Sequence, residues 1–212
     1  VPADNPFVGN SAWLPEIWST GHRSPQGMAF HPVTGQLWMN EHGPKGGDEL
    51  NRIGRGLNYG WPTITWGIGY DDRPIPEATG TSAPGLEQPQ HYWVPSIGTS
   101  GLAFYNHPKS PEWMGSVLVG GLVSRSIHRL RLDANHRVVA QEQLLSGLNW
   151  RIRDVRVGAD GNVYALTDDS NGRVLRIEPP AVTPRGKRPA TLPSAAPSGE
   201  TRVPAKAVRA PR

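Results

Sequence analysis

Three stretches of this 212-residue chain repeat one pattern, and the repetition limits the folds open to it. "GMAFHPVTGQLWMNEH" (Gly27–His42) is an alternating apolar segment, a turn over His31–Gly35 and a second segment ending in polar residues. "GLAFYNHPKSPEWMGSVLVGGL" (Gly101–Leu122) does the same with a longer connection. "RDVRVGADGNVYALTDD" (Arg153–Asp169) does it around a tight turn at Ala159-Asp160-Gly161. Period-two alternation puts every second side chain on one face, as in a half-buried strand, and Gly, Pro, Asn and Asp supply the turn backbone. "SIHRLRLD" (Ser126–Asp133) and "GRVLRIEP" (Gly172–Pro179) read as outer strands of the same kind. With 25 Gly and 22 Pro, long helices are broken too often to form, so the fold class is all-β. Repeated antiparallel units suit the blades of a propeller; a β-sandwich is the other architecture this pattern allows. About three blades fit into residues 1–180, too few to close a ring, so the expectation is a partial propeller.

The net charge of +4 misleads about partners. From Ala181 onward there are seven Lys or Arg against one Glu, so the tail carries +6 and residues 1–180 carry −2. Residues 181–212, rich in Pro, Ala and Arg, lack the large apolar side chains that would offset ordering, and are expected to be disordered. A nucleic-acid role has no support outside that tail. No apolar run approaches the roughly 20 residues of a membrane span. With no cysteine, disulfides and thiolate metal sites are excluded. The start at Val1, with "VPADNPF" reading as a mid-protein loop, suggests a processed or truncated chain.

One stretch is unusually rich in polar chemistry. Glu41–Pro62, read as a long loop, offers carboxylates at Glu41, Asp48 and Glu49, an imidazole at His42, and a "GPKGG" turn that lets carbonyls point inward. Hard oxygen donors on irregular backbone suit Ca²⁺, which takes six to eight oxygens in flexible geometry. No His/His or Cys/Cys spacing suggests zinc. The same composition also fits a glycine-rich loop with solvated acids.

Longer ordered motifs add a resemblance. "GHRSPQGMAF", "EHGPKGGDELN", "NYGWP", "TWGIGY", "LEQPQHYW", "SGLAFYN" and "WRIRDVRVGADGNVYALTDD" resemble the soluble glucose/sorbosone dehydrogenases, aldose sugar dehydrogenases that use pyrroloquinoline quinone (PQQ). The likeness covers about Val1 to Pro180 and matches the carboxy-terminal half of the family pattern. It implies a six-bladed β-propeller with PQQ and Ca²⁺ near its axis. It also implies oxidation of an aldose at the anomeric carbon to a lactone, an electron acceptor, and a periplasmic or secreted location.

Residue by residue, the resemblance implies that Arg23 and Ser24 lie against the quinone, with Ser24 standing where the family usually has asparagine. Backbone carbonyls of Gly43 and Pro44 are implied as ligands of the cofactor calcium. Glu49 and the Tyr59 carbonyl are implied at a further calcium, and His42 and Asp48 face the pocket. Tyr70 borders the PQQ ring, Trp93 and Ser96 line the mouth, and Gly121 and Leu122 end a strand at the rim. The next residue, Val123, replaces a frequent lysine. Arg151 and Arg153, two apart in "WRIRD", should point to one side and meet PQQ carboxylates. The catalytic histidine is expected in the amino-terminal half, so this chain would carry half a site. Its partner would be that half or a second copy. A binding or self-associating half-propeller without catalysis is the alternative reading.

Overall fold

The structure is a computed structural model that describes residues 1–180; the basic tail expected to be disordered lies outside the described residues. Among the described residues, eleven strands form three antiparallel sheets. The first contains β1 (Pro25–Phe30), β2 (Leu37–Glu41), β3 (Asp48–Ile53) and β4 (His91–Trp93), in that order across the sheet. The second contains β5 (Thr99–Phe104), β6 (Val117–Gly121), β7 (Ser126–Leu132) and β8 (Val138–Leu144). The third contains β9 (Ile152–Val157), β10 (Val163–Thr167) and β11 (Val174–Ile177). The only helical elements among the described residues are 3₁₀ turns at Pro111–Trp113 and Ser146–Leu148.

The leading strand of each sheet stands beside the next, with β5 packed against both β1 and β9. Period two explains how the middle sheet serves two cores. Leu102 and Phe104 of β5, Val117 and Val119 of β6 and Leu130 of β7 meet Trp38, Leu50 and Trp93 of the first sheet. Their neighbours Ala103, Leu118 and Ile127 face the other way, onto Ile152, Val155, Val163 and Ala165 of the third. A sheet covered on both faces needs apolar residues at successive positions, which is why "SVLVGG" lacks alternation. Three stacked antiparallel sheets rule out the two-sheet sandwich. The outward faces are less covered: Met28 and Phe30 on β1 are 60% and 70% exposed.

Three strands differ from the sequence reading, among them β4 at the edge of the first sheet, read from sequence only as part of the motif "LEQPQHYW". The stretch Glu41–Pro62 is not one loop, because Asp48–Ile53 pairs with β2 from Leu37↔Ile53 to Glu41↔Glu49. Val138–Leu144 forms an unforeseen outer strand. The antiparallel order brings the start of β1, the β2–β3 turn, the start of β5, the end of β6 and the start of β9 to one end of the stack. Nearly all of the candidate residues lie there.

Candidate functional site

The centre of this end is Glu41, last residue of β2 and 4% exposed. Its Oε2 accepts the Arg23 backbone N–H at 2.6 Å, and its Oε1 accepts the Asn51 amide at 3.0 Å. The His22 Nδ1–H donates to Oε1 at 3.0 Å, leaving Nε2 to accept the Ser19 hydroxyl at 2.8 Å. A buried carboxylate needs such donors, and here they also hold the segment before β1 against β2. Directly across the ladder lies Glu49, half-buried. Burial pushes its carboxyl up to about 7, against the amide hydrogen bond from Asn51 and with the charges of Glu41 and Asp48 adding to the rise. The Asn51 carbonyl oxygen is buried without a hydrogen-bond partner.

Arg23 reaches across the β2–β3 turn. Its Nη1 donates to the carbonyls of His42 at 3.2 Å and Gly43 at 3.0 Å, and its guanidinium lies 5.3 Å from the Trp61 ring centre. The turn is folded tightly enough that a Cβ on Gly43 would sit 2.2 Å from the Gly46 carbonyl, and Gly47 has a φ of +74°. Both positions therefore require glycine. The His42 ring donates Nε2–H to the Thr99 carbonyl at 2.5 Å, so only Nδ1 remains as an acceptor. Arg23, Glu41, His42, Gly43, Glu49, Tyr59 and Trp61 together line a cleft with about 10 Å³ of free space, room for one water or ion. Among the described residues, no three His, Asp or Glu side chains converge in a metal-holding group, so a cation here would lean on backbone carbonyls.

Asp48 does not face that cleft. It is 1% exposed, with Oδ1 accepting Gly43 N–H at 3.1 Å and Oδ2 accepting Gly98 and Thr99 N–H at 2.7 and 3.1 Å. It is a latch between the β2–β3 turn and the start of β5. Nor are Arg151 and Arg153 open forks. They do point to one side, but both close on Asp168: Arg151 Nη2 at 2.8 Å and Arg153 Nη2 at 3.1 Å. The paired guanidiniums hold the Asp168 carboxyl below the usual range. Replacing Asp168 by Asn should free both arginines. The urea midpoint should stay where it is, while affinity for a tricarboxylate such as citrate rises about tenfold. Unchanged citrate affinity by titration calorimetry would show that these arginines are not held in reserve.

Residues 1–176 match the family model described as glucose / sorbosone dehydrogenase. The chain belongs to that family. This chain is 46% identical over 179 residues to the aldose sugar dehydrogenase YliI of Escherichia coli, covering 84% of this chain and 48% of that protein. A crystal structure of a glucose dehydrogenase superposes with a TM-score of 0.82 at 51% identity, covering 84% of this chain and 51% of the other. The PQQ-bound form of an aldose sugar dehydrogenase from Streptomyces coelicolor superposes with a TM-score of 0.61 at 26% identity, covering 84% and 48%. The chain thus spans about half the length of the relatives it matches.

The remaining expected positions are spread over several places at this end of the stack. Gly43 and its buried neighbour Pro44 form the turn over the Arg23 cleft, and the Tyr59 hydroxyl ties its own loop by donating to the Arg52 carbonyl at 2.6 Å. Trp93 packs in the core and also lines a second groove, with its indole N–H on Gln141 at 2.7 Å. Ser96 and Val123 line the same second groove as Trp93. Gly121 and Leu122 are buried at the end of β6 and the residue after it, with the Leu122 N–H on the Gly98 carbonyl at 2.8 Å. Ser24 accepts the Gln26 amide at 3.1 Å, and Tyr70 is 74% exposed on its loop. The partners that sequence reasoning missed are Asn51, Trp61 and Asp168, while His22, expected only to lie near the pocket, is a donor to Glu41. Only Asp168 carried a signal, since an acid after β10 stands level with the arginines entering β9.

Proposed function

We propose that this chain is the calcium- and quinone-holding half of a PQQ-dependent aldose dehydrogenase, which oxidises a sugar at its anomeric carbon to a lactone and passes electrons to an acceptor. The observation that carries the reading is the cleft where Arg23, Gly43, Glu49 and Tyr59 meet, in a chain of this family. The residues suit the groups they would hold. The Gly43 carbonyl already takes a cation, the Arg23 guanidinium, and would present the same oxygen to Ca²⁺ together with Pro44. Glu49 and the Tyr59 carbonyl would serve a further Ca²⁺.

PQQ, when bound, supplies a two-electron acceptor for the hydride leaving the sugar, and Ca²⁺ draws electron density from its carbonyl. Arg23, held over Trp61, would stabilise negative charge developing on a quinone oxygen, with Ser24 and His42 beside it. Arg151 and Arg153, less the charge of Asp168, would offer one net positive charge to carboxylates near Ser96, Gly121 and Leu122. His42, with Nε2 committed to Thr99, is not assigned as the base. The proton acceptor would come from the part of the longer relatives outside this match. Exposed Met28 and Phe30 favour a ring completed by that part or by a second copy, with six blades and a periplasmic or secreted setting as the family implies. Among the described residues no helix is long and apolar enough to cross a membrane.

Spectrophotometric titration with PQQ should show calcium-dependent binding that weakens about tenfold or more in Arg23→Ala. Glucose, PQQ, Ca²⁺ and a dye should give no turnover with this chain alone. Equal PQQ affinity with and without calcium, unchanged in the variant, would instead favour a half-propeller that binds partners without catalysis. The loss of lysine at Val123 leans toward that second reading.

A further inference from the structure

Of the ten asparagines in the chain, only Asn171 is followed by glycine. It lies on the loop that joins β10 to β11. The base of that loop is closed by Thr167 N–H on the Arg173 carbonyl at 3.0 Å and by Arg173 N–H on Thr167 Oγ1 at 2.8 Å. Within the loop, Asp169 Oδ1 accepts the Asn171 N–H and the Ser170 hydroxyl, each at 3.2 Å. The Asn171 side-chain amide and the Gly172 N–H have no hydrogen-bond partner among the described residues, and both residues are exposed. Asp160–Gly161, the chain's one Asp-Gly pair, is the opposite case. Gly161 is buried and its N–H donates to the Gly158 carbonyl at 2.9 Å. Asp160 Oδ2 accepts the Asn162 amide at 2.6 Å and the Tyr164 hydroxyl at 2.9 Å.

The free amide and the free N–H can react with each other. Once the Gly172 N–H gives its proton to hydroxide, the nitrogen attacks Asn171 Cγ, the bond from Cγ to the side-chain nitrogen breaks, and ammonia leaves a cyclic imide. Water then opens the imide at either carbonyl, giving aspartate, or isoaspartate in which the chain runs through the side chain. No oxidant, metal or second protein takes part. Glycine removes the side chain that would block the attacking nitrogen. An exposed loop with so few hydrogen bonds reaches the reactive geometry by local opening at little cost. We propose that Asn171 is a spontaneous modification site of the folded protein, deamidating to aspartate and isoaspartate. The product adds a carboxylate to a loop that already carries Asp168 between Arg151 and Arg153, and Asp169 in the field of Arg173. The Arg173 guanidinium lies 4.9 Å from the Trp150 ring centre. Positive charge at this end of the third sheet therefore falls as the protein ages, with or without quinone and calcium.

The test is incubation of the full chain in warm, mildly alkaline buffer, with circular dichroism to confirm that it stays folded. Peptide mass spectrometry then separates asparagine, aspartate and isoaspartate at residue 171. A synthetic peptide spanning Asp168–Val174 is incubated beside it. Asn171 in the folded chain should convert at a rate within about tenfold of the peptide's, because the loop offers little protection. The rate should rise in proportion to hydroxide, and the converted chain should carry one positive charge fewer on ion exchange. Asn171→Gln, which must close a larger ring, should stay unconverted over the same time. So should Gly172→Ala, whose added Cβ would come no nearer than 3.5 Å, to the Asp169 carbonyl, and so leaves the loop as it is. Asn10 precedes serine and its Oδ1 accepts the Ala12 N–H at 3.0 Å, so it is the control that should remain asparagine. Three results overturn the proposal: residue 171 still asparagine once the peptide has converted, Asn10 converting as fast as Asn171, or Gly172→Ala converting like the parent chain.

Discussion

Asp48→Ala is expected to lower the stability of the chain by about 3 kcal/mol or more, seen as a large fall in the urea midpoint. The reason is the three backbone N–H groups of Gly43, Gly98 and Thr99 that share its two oxygens in a site 1% exposed. Removing the carboxylate leaves all three donors buried, and each unpaired donor costs about 1–3 kcal/mol. The damage should cross from one sheet to another, because Gly43 belongs to the β2–β3 turn and Gly98 and Thr99 lead into β5. Asp48→Asn should lie between the two, since an amide keeps one acceptor oxygen but turns an N–H₂ toward a donor. Hydrogen exchange should show Gly43, Gly98 and Thr99 losing protection together in the alanine variant. A midpoint within error of the parent would mean that water replaces the carboxylate, and Asp48 would return to the list of residues free to meet a ligand.

The contrast between Asp48 and Glu49 shows what the sequence made legible. Three hairpins could be read from alternation, because a half-exposed strand writes its faces into its residues. β3 was hidden because "DELNRI" puts charges next to apolar residues in a ladder where Glu41 and Glu49 share one crowded end. The outer strand β8 was hidden because "VVAQEQL" is mostly exposed and its polar run has no apolar face to announce it. Within the candidate site, residue types named the right neighbourhood but not the partner of each group. Nothing local in "EHGPKGGDELN" says that one acid will turn inward onto backbone N–H groups while its neighbour turns to a cleft. That division follows from strand pleat: Asp48 and Glu49 are adjacent, so they point to opposite faces, and β5 packs on only one of them. The Asp168 clamp on Arg151 and Arg153 joins the end of one strand to the start of another, which spacing alone cannot show.

Glu49 gives the second large effect, and its sign is opposite to that of an ordinary salt-bridged acid. Its carboxyl titrates at about 7 in the fold against an ordinary value of 4.5, chiefly because burial penalises the charge. The folded chain therefore binds this proton more tightly than the unfolded chain. The stability it contributes is fully present below pH 4.5, falls as pH rises through about 7, and is flat above. The total is on the order of 3 kcal/mol, so in EDTA at pH 8 the Glu49→Gln variant should be more stable than the parent by about that amount. The same substitution should remove the part of any calcium stabilisation that comes from the further site at Glu49, leaving the part from the Gly43 and Pro44 carbonyls, because binding to the folded state alone raises stability with ligand concentration. A carboxylate held ionised in this cleft at such a cost makes physical sense if a divalent cation is its partner. The two arms must move in opposite directions: the glutamine chain is ahead in EDTA and behind in calcium. If Glu49→Gln lowers the urea midpoint in EDTA at pH 8, the carboxylate is serving the fold through Asn51, and the case for a second calcium is lost.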